Sequence, residues 1–226
     1  MKKFLVIGNP IEHSLSPLLH NYWIKNNSIK AIYEKKKLNE DQLEHLILEI
    51  RNKKINGINV TVPFKKAVIP FLDELSTEAQ NTRSVNTIYL KDNILMGHNT
   101  DIVGFEKSIK DSKYSLKNKE VLILGAGGVV PSIVFALIKM KVSKIKISNR
   151  TKKKAQDLKK LFKNIEILEW GEVPDFDMII NATSLGLKKE DNINLDLSFI
   201  SKNKFFYDVI YNPKETNFLK TGRELG

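Results

Sequence analysis

The chain contains no cysteine, which excludes a disulfide framework, a thiolate metal site and a cysteine nucleophile. Histidine is scarce as well. His13, His20, His45 and His98 are scattered without zinc-ligand spacing, so no metal is expected. Arginine is the third scarcity. Arg51, Arg83, Arg150 and Arg223 are the only arginines among 37 basic residues, which face 26 acidic ones for a net charge of +11. Base readout and bidentate phosphate contacts favour arginine over lysine. The lysines are also spread along the whole chain instead of forming one stripe with aromatics. Nucleic acid is therefore not the expected partner, although the charge would draw small anions to the surface. No apolar run approaches transmembrane length. The basic start is followed by only a five-residue apolar run, Phe4 to Gly8, too short for the core of a signal peptide. A cytoplasmic protein without a membrane partner is expected.

What is present fits a globular enzyme. With 226 residues, 42% hydrophobic and 28% charged, the chain suits one large domain or two small ones with a real core. Strand and helix patterns alternate from end to end. Lys3–Gly8 reads as a strand, and Pro17–Asn26 as a helix with Ser16 as its N-cap. Ala31–Lys36 alternates as a strand. Leu43, Leu46, Ile47 and Ile50 fall at helical spacing. Gly57–Val62 and Ser84–Leu90 are rich in β formers. The fully apolar Val121–Leu124 suits a central parallel strand. After it come a helix from Val130 to about Met140, a strand Lys144–Ser148, a helix Lys152–Phe162, and strands at Met178–Ile180 and Phe206–Val209. Trp23 and Trp170 read as core or partly buried aromatics. The rhythm implies an α/β protein with mostly parallel sheets. Two domains are expected, 1–101 and 102–226, joined by a helix and loop at 100–115, with a cleft between them.

Two stretches carry chemistry. In Asn59-Val60-Thr61-Val62-Pro63-Phe64-Lys65, Pro63 cannot donate to a ladder and so ends the strand. It also suits the first turn of a helix that would carry Lys65. Strand ends that feed helices are where α/β proteins place functional groups. The second stretch is Gly125-Ala126-Gly127-Gly128, after a strand and before a helix. Gly125 permits the tight turn, Gly127 lets backbone approach a pyrophosphate, and the helix N-terminus supplies a positive dipole end. The third fingerprint position is Val130 instead of glycine or alanine. Dinucleotide folds that prefer NAD place an acidic residue about twenty positions further on. Here that place reads Ser148-Asn149-Arg150-Thr151, followed by three lysines. A guanidinium there clamps a 2′-phosphate, so NADP is the expected cofactor in a Rossmann-like second domain.

These motifs converge on a family. The chain resembles shikimate dehydrogenase over roughly residues 4–219. The resemblance rests on Ser14-Leu15-Ser16-Pro17 with His20-Asn21, Asn59 to Lys65, Val85-Asn86-Thr87, Asn99-Thr100-Asp101 and Gly104-Phe105. It continues in Gly125 to Gly128, Asn149-Arg150-Thr151, Asn181-Ala182-Thr183-Ser184, Tyr207-Asp208, Tyr211 and Pro213. The resemblance implies NADPH-dependent reduction of 3-dehydroshikimate to shikimate, within aromatic amino acid biosynthesis. It implies that Ser14, Ser16 and Tyr211 bond the substrate carboxylate, and that Thr61, Lys65, Asn86 and Asp101 surround the hydroxyls and the reacting carbon. It gives the cofactor Gly125, Ala126, Gly127, Gly128, Asn149, Arg150, Thr151, Thr183 and Val209.

Chemistry agrees with the roles. Hydride reduction of a ketone builds negative charge on oxygen, which a nearby ammonium stabilises and protonates. Lys65 suits that task, and Asp101 suits a carboxylate that keeps the lysine charged and oriented. Members of the family continue past this point with a helix that returns to the first half; the chain stops at Gly226 without it. Arg83 stands where the family often has glycine. Two alternatives remain: a sister enzyme that acts on quinate or uses NAD, and a non-catalytic basic module on the same fold. A homodimer is one option among oligomeric states.

Overall fold

A computed structural model describes all 226 residues. The first half runs β1 (Lys2–Gly8), α1 (Ser16–Asn26), β2 (Ala31–Lys37), α2 (Leu43–Arg51), β3 (Gly57–Val60), β4 (Glu74–Leu75), α3 (Thr77–Thr82), β5 (Thr87–Lys91) and β6 (Ile94–His98). Helix α4 (Asp101–Asp111) follows. Then come β7 (Glu120–Leu124), α5 (Val130–Lys139), β8 (Lys144–Ser148), α6 (Lys152–Leu161), β9 (Ile165–Leu168), β10 (Met178–Asn181), β11 (Phe205–Asp208) and α7 (Asn217–Glu224). The chain divides into two compact units, Met1–Gly104 and Phe105–Gly226. No helix is long and apolar enough to cross a membrane.

The N-terminal unit holds a six-stranded sheet in the order β2-β1-β3-β5-β6-β4. β1 is parallel to both β2 and β3, while β5 enters antiparallel beside β3. β5 and β6 form a hairpin whose turn residues, Asp92 and Asn93, sit at φ 50° and 63°. Two positive φ values suit the right-handed twist of the flanking strands. Leu43, Leu46, Ile47 and Ile50 of α2 are all buried in this unit's core, each worth roughly 1.5–3 kcal/mol of apolar burial. The register matters for function. Ile7 pairs with Val60, Asn59 with Thr87, and Thr87 with His98. The ends of β1, β3 and β6 and the start of β5 therefore open on one edge of the sheet.

The C-terminal unit is a five-stranded, wholly parallel sheet ordered β11-β10-β7-β8-β9. Val121 to Leu124 of β7 show no exposed surface, as an apolar run covered on both faces should. The chain winds outward from β7 to β9, then returns to β10 on the other side of β7. That reversal is the switch point at which open α/β sheets bind ligands.

Local structure departs from the sequence expectations in several places. Lys65 lies in a run of turns after β3, not in an α-helix. The turn is tied down where Phe64 N–H donates to Thr61 O and Val85 N–H to Lys65 O. Ser16 does not cap α1: Leu15 takes the N-cap position in αR conformation, and no side chain caps it. Instead Ser16 N–H donates to Ser14 Oγ at 3.3 Å. Trp23 and Trp170 are partly buried and lie outside the core, at 48% and 38% exposure. β4, β6, β9 and α7 are additional to the elements expected from the sequence.

Candidate active site

At the shared edge of the N-terminal sheet, the loop after β1 brings Ser14 and Ser16 into half-buried positions. Glu12 anchors this loop. Its carboxylate accepts from Ile11 N–H and from Lys37 Nζ at 3.0 Å, and its carbonyl takes Lys35 Nζ. Backbone N–H bonding, first from Glu12 itself, together with Lys37 draws its carboxyl down to about 2. Ser14 Oγ serves only as an acceptor, and the hydroxyls of Ser16, Thr61 and Tyr211 have no partner within the chain. Three hydroxyl donors of the N-terminal unit, on Ser14, Ser16 and Thr61, thus remain available. Tyr211 belongs to the C-terminal unit, where it is 65% exposed.

Lys65 and Asp101 form the charged centre. Lys65 Nζ lies 2.5 Å from Asp101 Oδ2, and the two side chains are only 12% and 22% exposed. The opposite carboxylate oxygen, Oδ1, accepts from Asn86 Nδ2 at 2.7 Å. Asn86 is itself held. Its Nδ2 also donates to Thr100 Oγ1, while its Oδ1 accepts from Thr100 N–H and Thr87 Oγ1. Behind it, Asn59 Nδ2 donates to Asn86 O and Thr87 Oγ1, and Tyr33 OH donates to Asn59 Oδ1 at 2.6 Å. Burial raises the Tyr33 phenol above its ordinary value, which keeps it a donor. His20 stacks on Tyr33 with ring centres 4.1 Å apart, and burial pushes its imidazole below the usual value.

The structure therefore joins Lys65, Asp101 and Asn86 directly and adds Asn59, Tyr33, Thr87 and Thr100. The added residues went unassigned in the sequence, although the repeated Asn-Thr pairs at 86–87 and 99–100 mark the strand ends where short polar side chains bond local backbone. A network this fully satisfied fixes the orientation of the carboxylate. Arg83 finds an explanation too. It ends α3 at φ 47°, ψ 42°, a left-handed C-cap that glycine adopts without Cβ penalty.

In the C-terminal unit, Gly125 follows β7 at φ +104°, and a Cβ there would stand 2.7 Å from Ala182 O. That position is glycine because the chain leaving β10 at Ala182 passes so close. Gly127 differs: it is exposed, and its Cβ would meet nothing nearer than Ala182 O at 3.8 Å. The space over Gly127 suits a phosphate. Ala126 and Gly128 flank it, and no side chain caps α5.

At the end of β8, Asn149 donates to Thr151 O at 2.8 Å. Thr151 starts α6 without a side-chain cap, so the helix end is open to an anion. Arg150 is exposed and has no ion-pair partner; Lys152 is tied to Glu169. Thr183 turns inward, its hydroxyl donating to Asn181 Oδ1 at 2.7 Å and accepting from Leu185 N–H. Val209 N–H donates to Asn181 O. These two residues shape the loops beside Gly125 through backbone and buried contacts. Open glycine, uncapped helix ends and unpaired Arg150 all fit an anionic dinucleotide with a 2′-phosphate.

Residues 6–88 match the shikimate dehydrogenase substrate binding domain, and residues 107–196 match shikimate / quinate 5-dehydrogenase. An NADP(+) shikimate dehydrogenase of Pelagibacter ubique is 62% identical over 225 residues, covering all of this chain and 85% of that protein. The chain belongs to the shikimate dehydrogenase family.

Solved structures of the family agree. Shikimate dehydrogenase from Aquifex aeolicus superposes with a TM-score of 0.91 at 37% identity, covering the whole of this chain and 84% of the other. The Thermus thermophilus shikimate 5-dehydrogenase, solved in complex with NADP(H) and shikimate, gives 0.89 at 30% identity, with 100% and 85% coverage. A family fold of this kind carries its chemistry in specific residues.

Proposed function

We propose that this chain catalyses the reversible NADPH-dependent reduction of 3-dehydroshikimate to shikimate, the activity named for its relatives. The observation that carries the reading is the Lys65–Asp101 pair, largely shielded from solvent and braced by Asn86. The N-terminal unit takes the substrate and the C-terminal unit takes the cofactor. Ser14, Ser16 and Tyr211 offer hydroxyl donors to the carboxylate, and short neutral donors allow product to leave again. Thr61 and Asn86 face the ring hydroxyls. When bound, NADPH supplies the hydride. Lys65 then neutralises charge developing on the former carbonyl oxygen and hands over a proton from Nζ. Asp101, held by Asn86, keeps that ammonium aimed.

Gly125, Ala126, Gly127 and Gly128 cradle the pyrophosphate, while Thr183 and Val209 support the neighbouring loops. Arg150, with Asn149 and Thr151, recognises the 2′-phosphate. The residues named all lie on one chain, so the reading serves a monomer or a homodimer. The test is cofactor oxidation with each combination of 3-dehydroshikimate or 3-dehydroquinate and NADPH or NADH. The expected result is a clear preference for 3-dehydroshikimate with NADPH. No oxidation with any combination would refute the reading.

A further inference from the structure

Gly104 is the fourth residue of α4, one turn after Asp101. Its φ lies outside the positive region, and a Cβ built there meets nothing within 4 Å. Neither of the usual reasons for glycine holds. Elsewhere the chain shows both: Gly97 is packed so that a Cβ would stand 2.6 Å from Leu72 Cδ1, and Gly125 has a left-handed φ. Glycine inside a helix weakens it relative to alanine, so a glycine without a conformational or packing need leaves stability unused. Gly127 is nearly as open, its Cβ meeting only Ala182 O at 3.8 Å, and it lies in the loop assigned to the pyrophosphate. Side chains three apart on a helix are neighbours on one face. The bare surface at Gly104 therefore lies beside the Asp101 carboxylate, next to the exposed apolar Val103.

We propose that Gly104 is a positioning residue whose missing side chain leaves room for the carbocycle of the substrate beside Lys65 and Asp101. The proposal rests on the function given above. Ser14, Ser16, Thr61 and Asn86 answer the polar groups of the substrate, but its ring needs clearance at the reacting end, which one methyl group would fill. Glycine at this point trades helix stability for that clearance.

Two variants test it: Gly104→Ala and, as a control for helix stiffening, Val103→Ala. Equilibrium binding of shikimate and of NADPH is measured for each beside apparent Tm, so the result does not depend on turnover. Gly104→Ala should raise Tm by about 2–3 °C. It should weaken shikimate binding about tenfold or more while leaving NADPH binding unchanged. Val103→Ala should leave both ligands at wild-type affinity. A Gly104→Ala protein that is stabilised and binds shikimate normally overturns the inference alone. So does one that loses NADPH and keeps shikimate, which would assign the space to the cofactor. Wild-type protein that fails to bind shikimate overturns the proposed function as well.

Discussion

The two candidate sites are built on opposite plans. In the N-terminal unit the network behind Lys65 is already bonded, running through Asp101, Asn86, Thr100, Thr87, Asn59 and finally Tyr33, and only the hydroxyls of Ser14, Ser16 and Thr61 are left open. In the C-terminal unit several groups stand open, namely a bare Gly127, α5 and α6 without side-chain caps, and Arg150 without an ion-pair partner. The difference follows from what each site does. A group that must meet developing charge works best pre-oriented, with no reorganisation at the moment of reaction. A group that binds a multiply charged ligand does best if the ligand is its first counter-charge, since a prior protein partner would have to be displaced. The first site is assembled by folding. The second is completed by binding.

Mutations in the two units should have different signatures. The largest effect should come from Lys65→Ala, expected to lower kcat by about 10³-fold or more with little change in NADPH affinity. Loss of cofactor affinity with turnover preserved would reverse the two plans. Next, Arg150→Ala should weaken NADPH by about 10- to 100-fold and leave NADH and apparent Tm nearly unchanged, because no protein contact is lost. A marked drop in Tm would show that the guanidinium has a structural partner after all.

Smaller again is Tyr33→Phe, which keeps the ring stacked on His20 and removes the hydroxyl bonded to Asn59. It should lower kcat several-fold, since the far end of the network loses one buried bond worth about 1 kcal/mol. Turnover unchanged in this variant would confine the pre-orientation to Asn86. The smallest effect lies outside both sites. Arg83→Gly should stabilise the chain by about 0.5 kcal/mol by relieving the left-handed C-cap, seen as a Tm rise of roughly 1–2 °C at unchanged kcat.

The contrast also explains what could be read from the sequence. Gly125 to Gly128 and Arg150 are legible because the role proposed for them depends on local backbone and on unpaired charge, both visible in a short window. Lys65 and Asp101 stand 36 residues apart, and only the parallel β1–β3 and antiparallel β3–β5–β6 pairings bring them together. Their pairing came from a family resemblance, not from spacing. Asn59 and Tyr33 carry no joint signal, because a tyrosine on one strand and an asparagine on another share no local pattern. The turn after β3 resembles a helix start because Pro63 fits either context. Ser16 resembles a cap, but the hydroxyl that bonds local backbone there is that of Ser14.

Lys65 and Asp101 are proposed to act as one catalytic device. A double-mutant cycle tests this, with kcat for 3-dehydroshikimate reduction measured for wild type, Lys65→Ala, Asp101→Ala and the double variant at saturating NADPH. If the pair is one unit, the double variant should be no slower than Lys65→Ala alone, because a carboxylate without its ammonium has nothing left to aim. Losses that multiply in the double variant would show two independent contributions and contradict the account.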